Sequence, residues 1–172
     1  LVMRLVALAV HGQDARVVLD DEGKNLVLRK IAGECEKDLK VFKGNLKKQG
    51  YISEVKSVLS EFAQYGVDFE RLDDFMKEVP PESYLHYKLD DIRTIYEKFE
   101  EYLSEKYITK EEMLDVLSDA VPYSDILKGS VVAMDGFTGF TPVQNRLIGE
   151  LFSVCEKVMI TVTMDGRENP YV

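Results

Sequence analysis

Apolar residues recur at three- and four-residue spacing through the first two-thirds of the chain, the pattern of amphipathic helices. Leu1, Leu5, Leu8 and Ala9 form the first run, and Gly12 ends it. Val17 to Leu19 is apolar but too short to assign. Asp20, Asp21 and Glu22 then provide an acidic, cap-like start for a helix through Leu26, Leu28 and Ile31. Ile52, Val55, Leu59 and Phe62 mark a third helix between Gly50 and Gly66, and Leu72, Phe75, Met76 and Val79 a fourth, stopped by Pro80-Pro81. The longest stripe runs through Leu85, Leu89, Ile92, Ile95, Tyr96, Phe99 and Leu103, about six turns of helix. Thr109 followed by Glu112 predicts a capping box for a short helix through Met113, Leu114 and Leu117.

The pattern changes after Pro122. Ser130 to Asp135 is a short apolar run ending in an acid, and Gly136 to Pro142 reads as a loop. Val143 to Val154 is helical by spacing, and Val158 to Val162 is a second strand of the buried type. Strand, helix and strand in that order make a βαβ unit, whose natural setting is a parallel sheet. The expectation is therefore an α/β protein, predominantly helical: a helical block over residues 1–122, then a partial parallel-sheet piece over 123–172. That division fits a helical insertion in a parallel-sheet domain. The ends of the chain read as cuts within a longer protein.

The chain has 172 residues, with 22 Lys and Arg against 31 Asp and Glu, a formal net charge of −9. Such a balance gives no general attraction to phosphate, so any contact with nucleic acid must come from a local patch. Hydrophobic residues at 45% exclude wholesale disorder. No apolar run approaches the roughly 20 residues of a membrane span. Cys35 and Cys155 lack CxxC spacing and read as free thiols of a cytoplasmic protein, or simply as small buried hydrophobes.

The most informative segment runs from Val131 to Gln144. An acid at the carboxyl end of a buried parallel strand stands where ligands bind in open α/β sheets. In P-loop enzymes such an Asp helps to hold the magnesium of a nucleotide. Asp135 occupies that place, but the residue after it is Gly136 rather than the Glu that would prepare water for attack. The alternative is that Asp135-Gly136 only turns the chain after a strand. No Gly-x-x-x-x-Gly-Lys-Ser/Thr loop occurs; the phrases at Gly23-Lys24 and Lys43-Gly44 lack its spacing.

A second candidate is the basic stretch Lys37, Lys40, Lys43, Lys47 and Lys48, interleaved with Phe42 and Tyr51 and opposed within it only by Asp38. Lysines for phosphates and rings for bases suit single-stranded nucleic acid. The alternative is a solvated helix face with the aromatics turned inward. His11 and His86 stand apart from any ligand set, so no metal site is expected. The acids of the long stripe, Asp90, Asp91, Glu97, Glu100, Glu101 and Glu105, alternate with Lys88, Arg93 and Lys98 and read as a solvated face with helix ion pairs.

Taken as a unit, Asp135 to Gln144, read as D-G-F-T-G-F-T-P-V-Q, resembles a segment typical of the AddB/RexB-type subunit of the bacterial AddAB/RexAB ATP-dependent helicase–nuclease. Stretches at 23–30, 45–50, 51–54, 61–66 and 88–96 are similar to the same subunit, so the likeness covers essentially the whole chain. That subunit has the architecture of a UvrD-type superfamily 1 helicase, whose pattern after the Walker B strand is D-E-F-Q-D-T-x-x-x-Q. Asp135, Phe137 and Gln144 match it; Gly136, Thr138 and Gly139 depart from it. The next helicase motif, Gly-Asp-x-x-Gln after a strand, is not supplied by Thr163 to Arg167.

The resemblance implies a degenerate, RecA-like motor: residues 1–122 as the helical insertion called domain 1B, and 123–172 as part of domain 1A, with the P-loop elsewhere. It implies ATP and magnesium in the parent protein, with Asp135 and Gln144 on the nucleotide side. It also implies contact with single- or double-stranded DNA, through Lys43, Lys47, Lys48, Phe137 and Thr138. The partner is a subunit of the AddA/RexA type, and the emerging strand is scanned for the Chi sequence in double-strand break repair. The rival expectations are a helical module that only docks the partner subunit, and a competent ATPase whose P-loop lies outside the chain. The pure chain is expected to release no phosphate from ATP with magnesium; release above background would exclude the degenerate reading.

Overall fold

The computed structural model describes residues 16–45, 48–104 and 106–163. The predicted first helix at Leu1 to Ala9, His11, Lys47, Glu105 and the segment from Met164 to Arg167 lie outside them. The described residues divide into two compact units, one that ends at Met113 and a second that begins at Leu114.

The first unit begins with a strand, β1 (Val17–Leu19), that periodicity left unassigned, because three residues are too few to show a period. It pairs in parallel with β2 (Tyr107–Thr109), Val18 opposite Ile108. Four helices lie between them: α1 (Asp21–Cys35), α2 (Gln49–Tyr65), α3 (Phe69–Glu78) and α4 (Tyr84–Leu103). Their ends follow from local chemistry. Asp20, Asp68 and Ser83 each accept a backbone N–H of the first turn, and Gly66 closes α2 in the left-handed conformation. Thr109 and Glu112 form the expected reciprocal box at the start of α5 (Lys110–Ala120), Glu112 N–H reaching Thr109 Oγ1 at 3.2 Å and Thr109 N–H reaching Glu112 Oε2 at 2.7 Å.

The core of this unit is built from α1, α2 and α4, with Leu28, Ile31, Ile52, Val55, Ile95 and Phe99 buried. Three residues of the predicted stripes face solvent instead: Leu26, Phe75 and Leu85 are 69%, 57% and 52% exposed. In α1 the buried face runs through Lys24, Val27, Leu28, Ile31 and Cys35, and Leu26 lies off it. Gly23 is set by a close approach, since a Cβ there would stand 2.6 Å from Leu19 Cδ1. The Gly23-Lys24 phrase thus serves packing: Lys24 is buried and bonded to Glu111 at 2.7 Å.

The expectation of a wholly solvated acidic face on α4 is corrected at two positions. Asp91 is 1% exposed, and its carboxylate accepts the backbone N–H groups of Lys40, Val41 and Phe42 at 2.8, 2.7 and 2.8 Å. Glu100 is partly buried between helices. Sequence spacing put both on the polar side, but the irregular segment 36–45 and α5 cover that side. Arg93 turns to Asp73 of α3 at 2.5 Å as well as to Glu97 at 3.5 Å, so its pairing is only partly intrahelical.

In the second unit, α5 leads to a 3-10 turn at Val121–Tyr123, then β3 (Val131–Phe137), α6 (Pro142–Val154) and β4 (Lys157–Val162). β3 and β4 pair in parallel, Val132 opposite Val158 and Met134 opposite Ile160. The predicted βαβ order is therefore present, but β3 and β4 are largely exposed rather than strands of the buried type; the described residues are mostly helical, with two small parallel sheets. Arg146 of α6 ties back to α5 through Asp115, at 2.8 Å, and Asp119. Among the described residues no helix is long and apolar enough to cross a membrane.

Replacing Asp91 with Ala orphans three backbone donors, each worth about 1–3 kcal/mol when buried without a partner. Asp91→Ala is expected to cost at least about 3 kcal/mol in urea unfolding, and Asp91→Asn less, because an amide oxygen still accepts. A loss below about 1 kcal/mol for Asp91→Ala would mean that the segment is held otherwise.

Candidate nucleotide and nucleic-acid site

The end of β3 is not a simple loop. Asp135 and Gly136 together stand opposite the single residue Thr161, between the pairs Met134–Ile160 and Phe137–Val162. This is a β-bulge, and it carries the strand two residues beyond its predicted end at Asp135. Gly136 has φ 80°, a left-handed conformation that L side chains resist. Thr161 seals the bulge: its hydroxyl donates to the Asp135 carboxylate and accepts Gly136 N–H at 3.3 Å. Sequence reasoning missed Thr161, since only the register of β4 places it across from Asp135.

Beyond the bulge, Phe137 rests against Phe140 with ring centroids 4.9 Å apart. Thr141 then caps α6. Its hydroxyl accepts Gln144 N–H at 3.4 Å, and Gln144 Oε1 accepts Thr141 N–H at 3.0 Å. Gln144 thus has a local task that its side-chain oxygen already performs. Asp135, Phe137, Phe140 and Gln144 border a cavity of about 350 Å³, walled otherwise by aliphatic side chains such as Ala133, Leu147 and Leu151. Asp135 and Thr138 are exposed, and Phe137 and Gln144 half-buried. The structure therefore gathers Asp135, Phe137 and Gln144 around one cavity, with Thr138 between the two phenylalanines in sequence.

A magnesium ion prefers oxygen ligands and commonly takes one or two carboxylates with phosphate and water completing the set. The single exposed carboxylate of Asp135 fits an ion ligated in that way. Among the described residues no group of three His, Cys, Asp or Glu side chains is placed to hold a metal alone.

Lys43 and Lys48 belong to the other unit. Their segment is not a helix up to Asn45; Lys43 sits in a turn and Lys48 immediately precedes α2. Both are exposed, with Lys48 Nζ 3.2 Å from Asn45 Oδ1. Lys40 pairs with Asp90 at 2.9 Å and lies over the Tyr87 ring, and the Asp90 carboxylate raises its pKa. The aromatics do turn inward: Phe42 is 4% exposed and meets Tyr51 edge-on at 6.2 Å. Phe42 therefore offers no ring to a base, in line with the inward-turned alternative, although the segment at 41–45 is a turn rather than a helix face. Neither cysteine forms a disulfide. Cys35 is buried, which pushes its thiol pKa up, and Cys155 is half-buried.

Residues 4–171 match the family described as ADDB, N-terminal, and the chain belongs to that family. Three similar proteins are each named as the B subunit of an ATP-dependent helicase/deoxyribonuclease. The protein of Lachnoclostridium phytofermentans is 42% identical over 157 residues, 91% of this chain and 14% of that protein. The Thermoanaerobacter sp. protein is 36% identical over 147 residues, 86% of this chain and 13% of its own length. The Clostridium acetobutylicum protein is 32% identical over 154 residues, 90% and 13% respectively. The chain thus spans about one-seventh of the relatives it matches.

A Cβ at Gly136 meets nothing within 4 Å, so substitution there costs only backbone strain. Gly136→Ala is expected to lower unfolding stability by about 1–2 kcal/mol. A neutral or stabilising effect in chemical denaturation would show that the bulge does not demand its left-handed turn.

Proposed function

We propose that this chain is a DNA-holding, non-hydrolytic part of the helicase-like region in the AddB-type subunit of an ATP-dependent helicase/deoxyribonuclease. The observation that carries this reading is the Asp135–Gly136 bulge. A carboxylate suited to magnesium stands at the bulge near the carboxyl end of a parallel strand, and the next position has a backbone that disfavours any side chain. A Glu that prepares water for attack has no comfortable place there. The family and the names of its relatives supply the setting.

In this reading residues 1–122 are the 1B-type insertion and 123–172 a piece of the RecA-like domain 1A. The P-loop stands elsewhere in the parent protein. ATP and magnesium bind there with Asp135 as an ion ligand and Gln144 bordering the same cavity. Single-stranded DNA meets Lys43, Lys47 and Lys48, with Phe137 and Thr138 at the second unit, while an AddA/RexA-type subunit supplies the active motor. DNA-end processing and Chi scanning in the cytoplasm are the corresponding roles of the whole complex.

A second reading has one observation in its favour. Lys40 is neutralised by Asp90 and Phe42 is buried, so the basic stretch offers less to DNA than its composition suggests. The helical unit would then only dock the partner subunit.

Anisotropy of a labelled single-stranded oligonucleotide on the full-length two-subunit complex separates the two. Lys43→Ala with Lys48→Ala is expected to weaken binding several-fold and to reduce the salt slope by about 1.4, at about 0.7 per phosphate contact. Unchanged affinity and slope, with the complex intact, would favour the docking module.

A further inference from the structure

Asp90 and Asp91 are neighbours on α4 and both meet the basic segment, but they hold different parts of it. Asp91 holds backbone: Oδ1 accepts Lys40 N–H at 2.8 Å, and Oδ2 accepts Val41 N–H at 2.7 Å and Phe42 N–H at 2.8 Å. Asp90 holds charge: its Oδ2 lies 2.9 Å from Lys40 Nζ. A carboxylate has room for about four donors, so three successive amides fill most of Asp91.

Packing backs this clamp. Leu39, just before the clamped amides, and Phe42, the last of them, are both buried in the core. From Phe42 the hydrogen-bonded path continues to α2. Asn45 N–H donates to Phe42 O at 2.9 Å, Lys48 N–H to Asn45 O at 2.9 Å, and Tyr51 N–H to Lys48 O at 3.1 Å. Gly44, at φ 74°, makes the bend after Lys43. Lys43 directly follows the last clamped amide, so it is carried to solvent on backbone secured on both sides.

We propose that Asp91 is a positioning residue for single-stranded DNA, and that its neighbour Asp90 opposes binding through the same segment. The proposal rests on the reading in which Lys43 and Lys48 meet DNA. Asp91 is buried and touches no phosphate; it acts by presetting the backbone that carries Lys43. A segment ordered in advance loses less conformational entropy on binding than one that its ligand must order. Asp90 withholds Lys40, which leaves Lys43 and Lys48 for phosphate.

Charge alone gives a different expectation. Each acid is a negative charge beside a basic segment, so removing either would strengthen binding to a polyanion. The clamp gives the two acids opposite signs. Asn is close in shape to Asp at both positions. At 91 its one oxygen keeps at most the two donors of Oδ2, and its NH₂ group then faces the N–H of Lys40. At 90 it releases the charge of Lys40.

Salt-dependent anisotropy of a labelled single-stranded oligonucleotide on the full-length two-subunit complex tests this. Asp91→Asn is expected to weaken binding several-fold. Asp90→Asn is expected to tighten it and to steepen the salt slope by about 0.7, one phosphate contact. Gly44→Ala changes no charge and its Cβ meets nothing within 4 Å, so it strains the same turn at the surface and is expected to weaken binding too. With Lys43→Ala and Lys48→Ala already in place, Asp91→Asn is expected to add nothing. Tighter binding in both Asn variants would overturn the proposal in favour of charge alone, and an equal loss from Asp91→Asn with and without the two lysines would make Asp91 merely structural. Amide hydrogen exchange of the complex without DNA reads the clamp by itself: Lys40, Val41 and Phe42 are expected to exchange slowly, and faster in Asp91→Asn. Fast exchange in the wild type refutes the clamp. Slow exchange with no loss of affinity on removing the two lysines refutes instead the DNA reading, and the positioning role falls with it.

Discussion

A parallel pair of strands cannot be joined by a tight turn, and both sheets among the described residues are parallel pairs. The return path must cross from one end of the first strand to the start of the second, and it must be covered with packed structure. Among the described residues, the path between β1 and β2 holds four helices, and that between β3 and β4 holds one. The helical character of the chain is thus what its short sheets require. The three-residue strands of the first sheet contribute little core themselves; they position Leu19 against Gly23 and bring Thr109 to the start of α5.

Buried polar groups complete the first unit where the apolar stripes leave gaps. Asp91 substitutes for secondary structure along residues 40–42, accepting donors that no helix or sheet satisfies. Lys24 and Glu111 join α1 to α5 at the polar end of an otherwise apolar face. Each arrangement works because the charge meets a specific partner; a buried charge without one is costly. The basic segment gains a defined path in this way, with Lys40 drawn toward Asp90 while Lys43 and Lys48 remain exposed.

In the second unit one bulge does several jobs at once. It lengthens β3 to Phe137, turns Asp135 to solvent beside the cavity, and places Thr161 where its hydroxyl supports both Asp135 and Gly136. The capping box of Thr141 and Gln144 then starts α6 immediately beyond the two phenylalanines. A site of this kind is defined more by backbone path than by an abundance of reactive groups.

Helix positions, the βαβ order and the family were legible in the sequence, because periodicity, caps and the string from Asp135 to Gln144 are local properties. Asp20, Gly66 and the Thr109–Glu112 box act within a few residues of themselves, so their meaning survives without a fold. The strand at Val17–Leu19 was not legible, since its partner stands about ninety residues away at Tyr107–Thr109. Nor were the burial of Asp91, the pairing of Lys24 with Glu111, or the part played by Thr161. Those depend on which groups meet across elements, and an acid on a polar helix face looks the same in sequence whether water or a packed neighbour covers it. Sequence determined the local elements and their order; tertiary packing decided which charges were taken out of water and therefore which had to find partners.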